Sequence, residues 1–185
     1  MRSTIVFIDD GFLSKLSKFF GDGKYLKLHR KDFSGLICEN VFVYTAAPFQ
    51  SANPNKFEIK RKEGYDVFKK SLINEGVIFR EGRCQRLKID GEFIYRQKAV
   101  DILLAMDLMN VRANYPEVER IILVSSDSDF VPVIEDIEKK GVKTILYTYF
   151  EKKRNTNFSR SNELVKSVYK YVKLNKEFLE GVENE

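Results

Sequence analysis

A single α/β domain built on a mainly parallel sheet of about five strands is what this chain predicts, and three observations carry the expectation. Short apolar, β-branched runs alternate with helix-length patterns, the mark of a sheet covered on both faces. The 185 residues are enough for one core and short for two. Apolar residues make up 43% of the chain while Gly and Pro number 10 and 4, which excludes collagen-like, low-complexity and wholly disordered classes.

The strands expected from apolar runs are residues 4–8, 40–45, 77–80, 120–125 and 143–147, with helices near 12–20, 60–74, 97–113 and 130–140 and a closing helix near 162–179. The fourth helix is the best punctuated: Ser128 or Asp129 can cap its start, Pro132 falls in the first turn and Gly141 ends it. Two short alternating pieces, 84–89 and 92–95, flank Asp90-Gly91, a hairpin turn dipeptide, and predict a small β excursion near 84–95. Segments 21–31 and 48–55 are turn-rich. The domain is expected to span 1–180, with 181–185 a frayed tail.

Composition narrows the chemistry. Cys38 and Cys84 have no CxxC spacing and His29 is the single histidine, which argues against a zinc site, a disulfide framework and Cys/His or Ser/His catalysis. No apolar run reaches the roughly 18 to 20 residues that span a bilayer, and the first residues lack a signal-peptide pattern, so no membrane partner is expected and the cytoplasm is the expected compartment. A net charge of +5 permits a polyanionic partner. The basic residues cluster at 56–62, 80–88 and 152–160, which on spacing alone reads as solvated faces. A homodimer is allowed by the sequence but not indicated by it.

The acids point to a site. In an open parallel sheet the residues just after strands one and four become neighbours where the strand order reverses. Strand one ends in Asp9-Asp10-Gly11, strand four ends in Ser125-Ser126-Asp127-Ser128-Asp129, and Asp101 opens the long apolar helix before strand four. Carboxylates crowded together repel one another unless a cation neutralises them, and Mg²⁺ or Mn²⁺ suits an all-oxygen set that leaves positions open for substrate phosphate. Each acid also has a plain alternative, since a strand-terminal Asp often caps the next helix.

The neighbouring residues carry weaker expectations. Asp10 should point away from Asp9, exposed or behind the site. Asp107 lies about 120° around the helix from Asp101 and, among leucines and methionines, calls for a partner. Lys98 is expected one turn before Asp101, solvated, orienting a carboxylate or touching phosphate. Tyr147, Tyr149 and Phe158, near the third basic cluster, are the aromatic residues that could contact RNA.

Together, Thr4-Ile-Val-Phe-Ile-Asp9, Lys98-Ala-Val-Asp101 with Asp107 beyond it, and Leu123-Val-Ser-Ser-Asp-Ser-Asp-Phe-Val-Pro132 resemble the NYN domain, and more narrowly its LabA-like (DUF88) branch within the PIN-like nuclease superfamily. The resemblance covers about residues 4–150, with 161–174 similar to the closing helix of those domains. It implies a Rossmann-like three-layer sandwich with strand order 3-2-1-4-5. It also implies a divalent-metal ribonuclease whose catalytic and metal-ligating residues are Asp9, Asp101, Asp127 and Asp129, with RNA as partner, single-stranded or structured, and DNA not excluded. Where the family usually has Asp-Gly-x-Asn, this chain has Asp9-Asp10-Gly11-Phe12, and Ser126 replaces the usual glycine. Those departures leave open a degenerate RNA-binding or protein-interaction module. A phosphoacceptor receiver fits poorly, for want of a suitably placed Lys. A haloacid-dehalogenase phosphatase would need an acid at Gly11.

Overall fold

The structure, a computed structural model, describes residues 3–26, 38–151, 156 and 158–180. In chain order these form β1 (Ser3–Asp9), α1 (Asp10–Phe20), β2 (Cys38–Ala46), α2 (Lys56–Asn74), β3 (Ile78–Ile89), β4 (Glu92–Lys98), α3 (Val100–Met109), α4 (Val111–Asn114), β5 (Val118–Val124), a 3-10 turn (Ser128–Phe130), α5 (Val131–Lys139), β6 (Lys143–Thr148), α6 (Asn162–Ser167), β7 (Lys170–Lys173) and α7 (Lys176–Glu180). His29, part of the turn-rich 21–31 segment, part of the third basic cluster and the 181–185 tail lie outside the described residues. No helix among the described residues is long and apolar enough to cross a membrane.

The fold is α/β with a mostly parallel seven-stranded sheet in the order β4-β3-β2-β1-β5-β6-β7. This corrects the expected five strands in the order 3-2-1-4-5. The five segments read as strands lie consecutively in the middle, and two strands are added at the edges. One is β4, because β3 does not end near Arg80: it pairs in parallel with β2 as far as Gly82, then continues into an antiparallel hairpin with β4, from Arg83↔Lys98 to Ile89↔Glu92. The polar Glu81-Gly82-Arg83 interruption hides that continuity in the sequence. At the hairpin tip Asp90 (φ 50°) and Gly91 (φ 87°) take the two left-handed positions that such a turn demands.

The other added strand is β7, which splits the helix expected over 162–179. Tyr169 to Val172 alternate aromatic, charged and β-branched residues, and Lys170 to Lys173 pair in parallel with Ile145 to Thr148. Covering that edge of β6 outweighs the local helical pattern. The helix expected over 97–113 is likewise shorter. Gln97 and Lys98 belong to β4, Ala99 turns the chain at φ 68°, and α3 starts at Val100.

Alternation along the central strands builds two cores. Ile5, Phe7, Phe42, Tyr44, Ile121 and Leu123 pack under α3, α4, α5 and α6, whose contributions include Leu104, Leu108, Val111, Ile134 and Leu164. Val6, Ile8, Val41, Val43, Ile122 and Val124 face Leu13 and Leu16 of α1, Leu72 of α2 and Leu179 of α7. Helices therefore cover both faces, each fully buried aliphatic side chain contributing about 1.5–3 kcal/mol. One polar clamp fastens α3 across the sheet: Asp107 accepts from Arg80 Nε at 2.8 Å, from Arg80 Nη2 at 3.1 Å and from the Tyr44 hydroxyl at 2.8 Å.

The joint between β4 and α3 is close-fitting. A side-chain carbon on Gly82 would stand 2.3 Å from the Lys98 carbonyl oxygen and 2.8 Å from Val100 Cγ2. Gly82→Ala is therefore expected to lower the stability measured by urea unfolding by about 1–3 kcal/mol, the usual penalty of overpacking. Gly64→Ala, in mid-helix with open space around it, should raise stability by roughly 0.5–1 kcal/mol.

Candidate functional site

The chain leaves β1 toward β2 on one side and returns as β5 on the other, so a crevice opens beyond the carboxyl ends of these neighbouring strands. Asp9 is the last residue of β1. By alternation it shares the face of Ile5 and Phe7, the side on which α3 lies. Asp101 comes to that side in the first turn of α3, while Asp127 and Asp129 follow β5.

A short hydrogen-bonded chain ties the two strand ends together. Asp9 caps α1, its Oδ1 accepting from the Phe12 amide at 3.1 Å, and its Oδ2 accepts from the Ser125 hydroxyl at 3.1 Å. The same Ser125 oxygen accepts from the Asp127 amide at 3.2 Å. Asp127 caps the 3-10 turn, Oδ1 accepting from the Asp129 amide at 2.9 Å. Capping and convergence thus coexist. A carboxylate offers about four lone pairs, so both caps keep acceptor capacity.

The acids also act on one another through their charges. Burial, only partly offset by the Phe12 and Ser125 hydrogen bonds, pushes the Asp9 carboxyl up to about 6, and the charges of Asp101 and Asp10 push the same way. The Asp101 carboxyl is also raised, by desolvation first and then by the charges of Asp127 and Asp129. Asp101 therefore feels acids on both strand ends. Their repulsion is what a hard cation relieves, and the oxygen-only donors suit Mg²⁺ or Mn²⁺. As folded, however, the acids are not a closed cage: among the described residues no group of three or more stands close enough to hold one ion. Asp101 and Asp129 are exposed and have room to move.

Other residues depart from expectation. Asp10, expected to be exposed or behind the site, is buried and accepts from the Thr45 hydroxyl at 3.3 Å. Lys98 ends a strand instead of opening a helix. Phe12 turns its ring into the core against Phe158 and gives the site its amide. Ser126 is half-buried. Phe158 is buried and Tyr149 packs on Phe19, Phe20 and Phe158, while Tyr147 packs on Phe178, so these aromatics build core, not an open stacking surface. Sequence reasoning missed Ser125, for which Ser-x-Asp was an available signal, and Gln97, which nothing local marks. A side-chain carbon on Gly11 would sit 3.1 Å from Asp9 Oδ1 and 3.4 Å from Gln97 Oε1, so glycine there keeps the space between these groups open.

The sequence profile of the NYN domain matches residues 20–175. The chain belongs to the NYN domain family. That family lies within the PIN-like nuclease superfamily and its members are typically nucleases. The match includes Asp101, Asp127 and Asp129 but begins after Asp9. Among solved structures, this NYN domain is similar to a protein of unknown function from Vibrio parahaemolyticus, with a TM-score of 0.61 and 16% identity over 94% of this chain and 93% of that one, a likeness of fold. No curated protein matches the sequence.

The raised Asp9 carboxyl has a thermodynamic signature. Its folded value, about 6, exceeds the ordinary 3.8, so in EDTA the folded state holds that proton longer. Its contribution to stability is present below about pH 4 and is lost as pH rises through about 6. Asp9→Asn should remove that decline, its stability relative to the parent growing by on the order of 2 kcal/mol between pH 4 and pH 7 in urea titrations. Parallel curves for the two proteins would contradict the assignment.

Proposed function

We propose that this NYN domain is a divalent-metal-dependent ribonuclease of the LabA-like branch, acting in the cytoplasm, with Asp9, Asp101, Asp127 and Asp129 holding Mg²⁺ or Mn²⁺. The observation that supports it most is the Asp9–Ser125–Asp127 hydrogen-bonded chain that ties the ends of β1 and β5 together, with Asp101 near enough for its charge to act on Asp9. Bound there, the ion would supply Lewis acidity, lowering the pKa of a water and neutralising charge that develops at a phosphodiester.

The chain's own groups do the positioning. The Phe12 amide and the Ser125 hydroxyl fix the Asp9 carboxylate, and Ser125 couples it to the Asp127 loop. The Arg80–Asp107–Tyr44 clamp holds α3, and with it Asp101, against the sheet. Asp101 and Asp129, both exposed, would complete the oxygen ligand set offered by Asp9 and Asp127. With one histidine in the chain, the paired-imidazole route of metal-free ribonucleases is closed.

The open spacing of the carboxylates also favours a second reading, a degenerate RNA-binding or protein-interaction module. One assay separates them. Incubated with mixed single-stranded and structured RNA, the parent protein should cleave with Mn²⁺ and stop in excess EDTA. Asp127→Asn should lose at least a hundredfold in rate while keeping its circular dichroism spectrum and much of its RNA affinity. Undiminished cleavage by Asp127→Asn or in EDTA refutes the enzyme, and no cleavage by the parent with RNA still bound favours the module.

A further inference from the structure

Next to the acidic crevice lies a cleft of about 940 Å³ between α1, α2 and the β3–β4 hairpin, reaching from Asp10 and Gly11 past Gln97 and Tyr95 to Glu75. Gln97 joins the two spaces, since it lines the cleft and borders Gly11, whose other near side chain is Asp9. Three cations line the cleft: Lys15 and Lys18 from α1 and Arg61 from α2. The acids that line it are Asp10, which is engaged by Thr45, and Glu75.

The hairpin supplies a second, independent observation. Antiparallel pairing puts Cys84 and Gln97, Arg86 and Tyr95, Lys88 and Phe93 on one face, the face that overhangs the cleft. Tyr95 is 44% and Phe93 53% exposed. Arg86 lies 4.5 Å from the Phe93 ring centre and 4.6 Å from that of Phe49, and Arg61 lies 6.0 Å from that of Tyr95. Residues 83–98 carry five Arg or Lys against two acids. Arg61 of the cluster 56–62 and Arg86 of the cluster 80–88, which also pairs with Glu58 at 3.8 Å, thus stand beside the same half-exposed aromatic residues, Tyr95 packing on Phe49 at 5.9 Å.

We propose that this cleft and the overhanging hairpin face form the track for a single-stranded polynucleotide leading into the carboxylate crevice, an RNA strand if the nuclease reading above holds. Open ring faces beside cations serve unstacked bases and their phosphates; the bases of a duplex, stacked on one another, cannot reach them. Tyr95 stacks a base, Lys18 and Arg61 take phosphates, and Gln97 marks the passage toward Asp9. Stacking and phosphate contacts ignore the sugar, so the track itself accepts RNA and DNA strands alike.

The test measures binding apart from cleavage. In an Asp127→Asn background with EDTA, fluorescence anisotropy is read with a labelled oligouridylate of about eight nucleotides, the matching DNA strand and a blunt RNA duplex. The expected result is comparable binding of both single strands and at least tenfold weaker binding of the duplex. Tyr95→Ala should weaken the single strand about tenfold, and Lys18→Ala or Arg61→Ala should each flatten the dependence of log affinity on log salt by about one unit. Tyr95 and Arg61 are exposed, so these variants should fold, with circular dichroism as the check. Duplex binding as tight as single-strand binding, or affinity unchanged in Tyr95→Ala, overturns the track. Metal-dependent cleavage by a protein whose binding ignores Tyr95 refutes the track and leaves the nuclease standing. Tyr95-dependent binding by a protein that cuts nothing does the reverse.

Discussion

Everything about this site depends on one electrostatic conflict: the fold brings like charges to the ends of β1 and β5, and among the described residues no cation pairs with them. Asp9 is drawn in as the end of a buried central strand and as the cap of α1, and two hydrogen bonds compensate only part of its desolvation. Asp101 then adds a negative charge from the α3 side and Asp127 and Asp129 add theirs from β5. A fold that retains such a cluster is under tension that a counterion or a proton must relieve. The raised Asp9 carboxyl is the proton solution; in the nuclease function proposed above, a divalent cation would be the other.

The supporting structure is consistent with that tension being held in place. Helix α3 has no side-chain cap at its start, where Ala99 adopts a left-handed turn, so its position comes from tertiary contacts: the leucine row beneath it, the close approach of Gly82 and the Arg80–Asp107–Tyr44 clamp. Asp107 therefore acts as an anchor for the helix that carries Asp101, and its partners come from β2 and β3, strands far away in sequence. Ser125 plays the matching part on the other side, one hydroxyl oxygen serving both the Asp9 carboxylate and the Asp127 amide.

Much of the α/β plan and the central strands could be read from local patterns, because buried parallel strands are continuous apolar runs and the Asp90-Gly91 turn has its own chemistry. What escaped was non-local. Strand β7 forms because β6 offers an edge, against a helical pattern that spans Asn162 to Leu179, and β3 runs through a polar Gly82 stretch because β2 and β4 pair with it in turn. At the site, the four acids were legible as strand-end motifs plus a helix start, but their openness was not, and neither was Gln97, whose place beside Asp9 exists only through the hairpin. The aromatic residues show the same limit. Tyr149 and Phe158, near a basic stretch in sequence, pack inward, whereas Tyr95 and Phe93 are left open beside Arg61 and Arg86 by strand pairing.

The central claim, that these carboxylates share one divalent cation, is tested most directly by titrating Mn²⁺ into the protein and into Asp101→Asn, with calorimetry or the loss of the free-ion electron paramagnetic resonance signal as readout. Shared ligation predicts saturable binding at millimolar or lower concentration that weakens at least tenfold when the Asp101 charge is removed. Mn²⁺ binding of equal strength in the two proteins, or none in the parent, would contradict it.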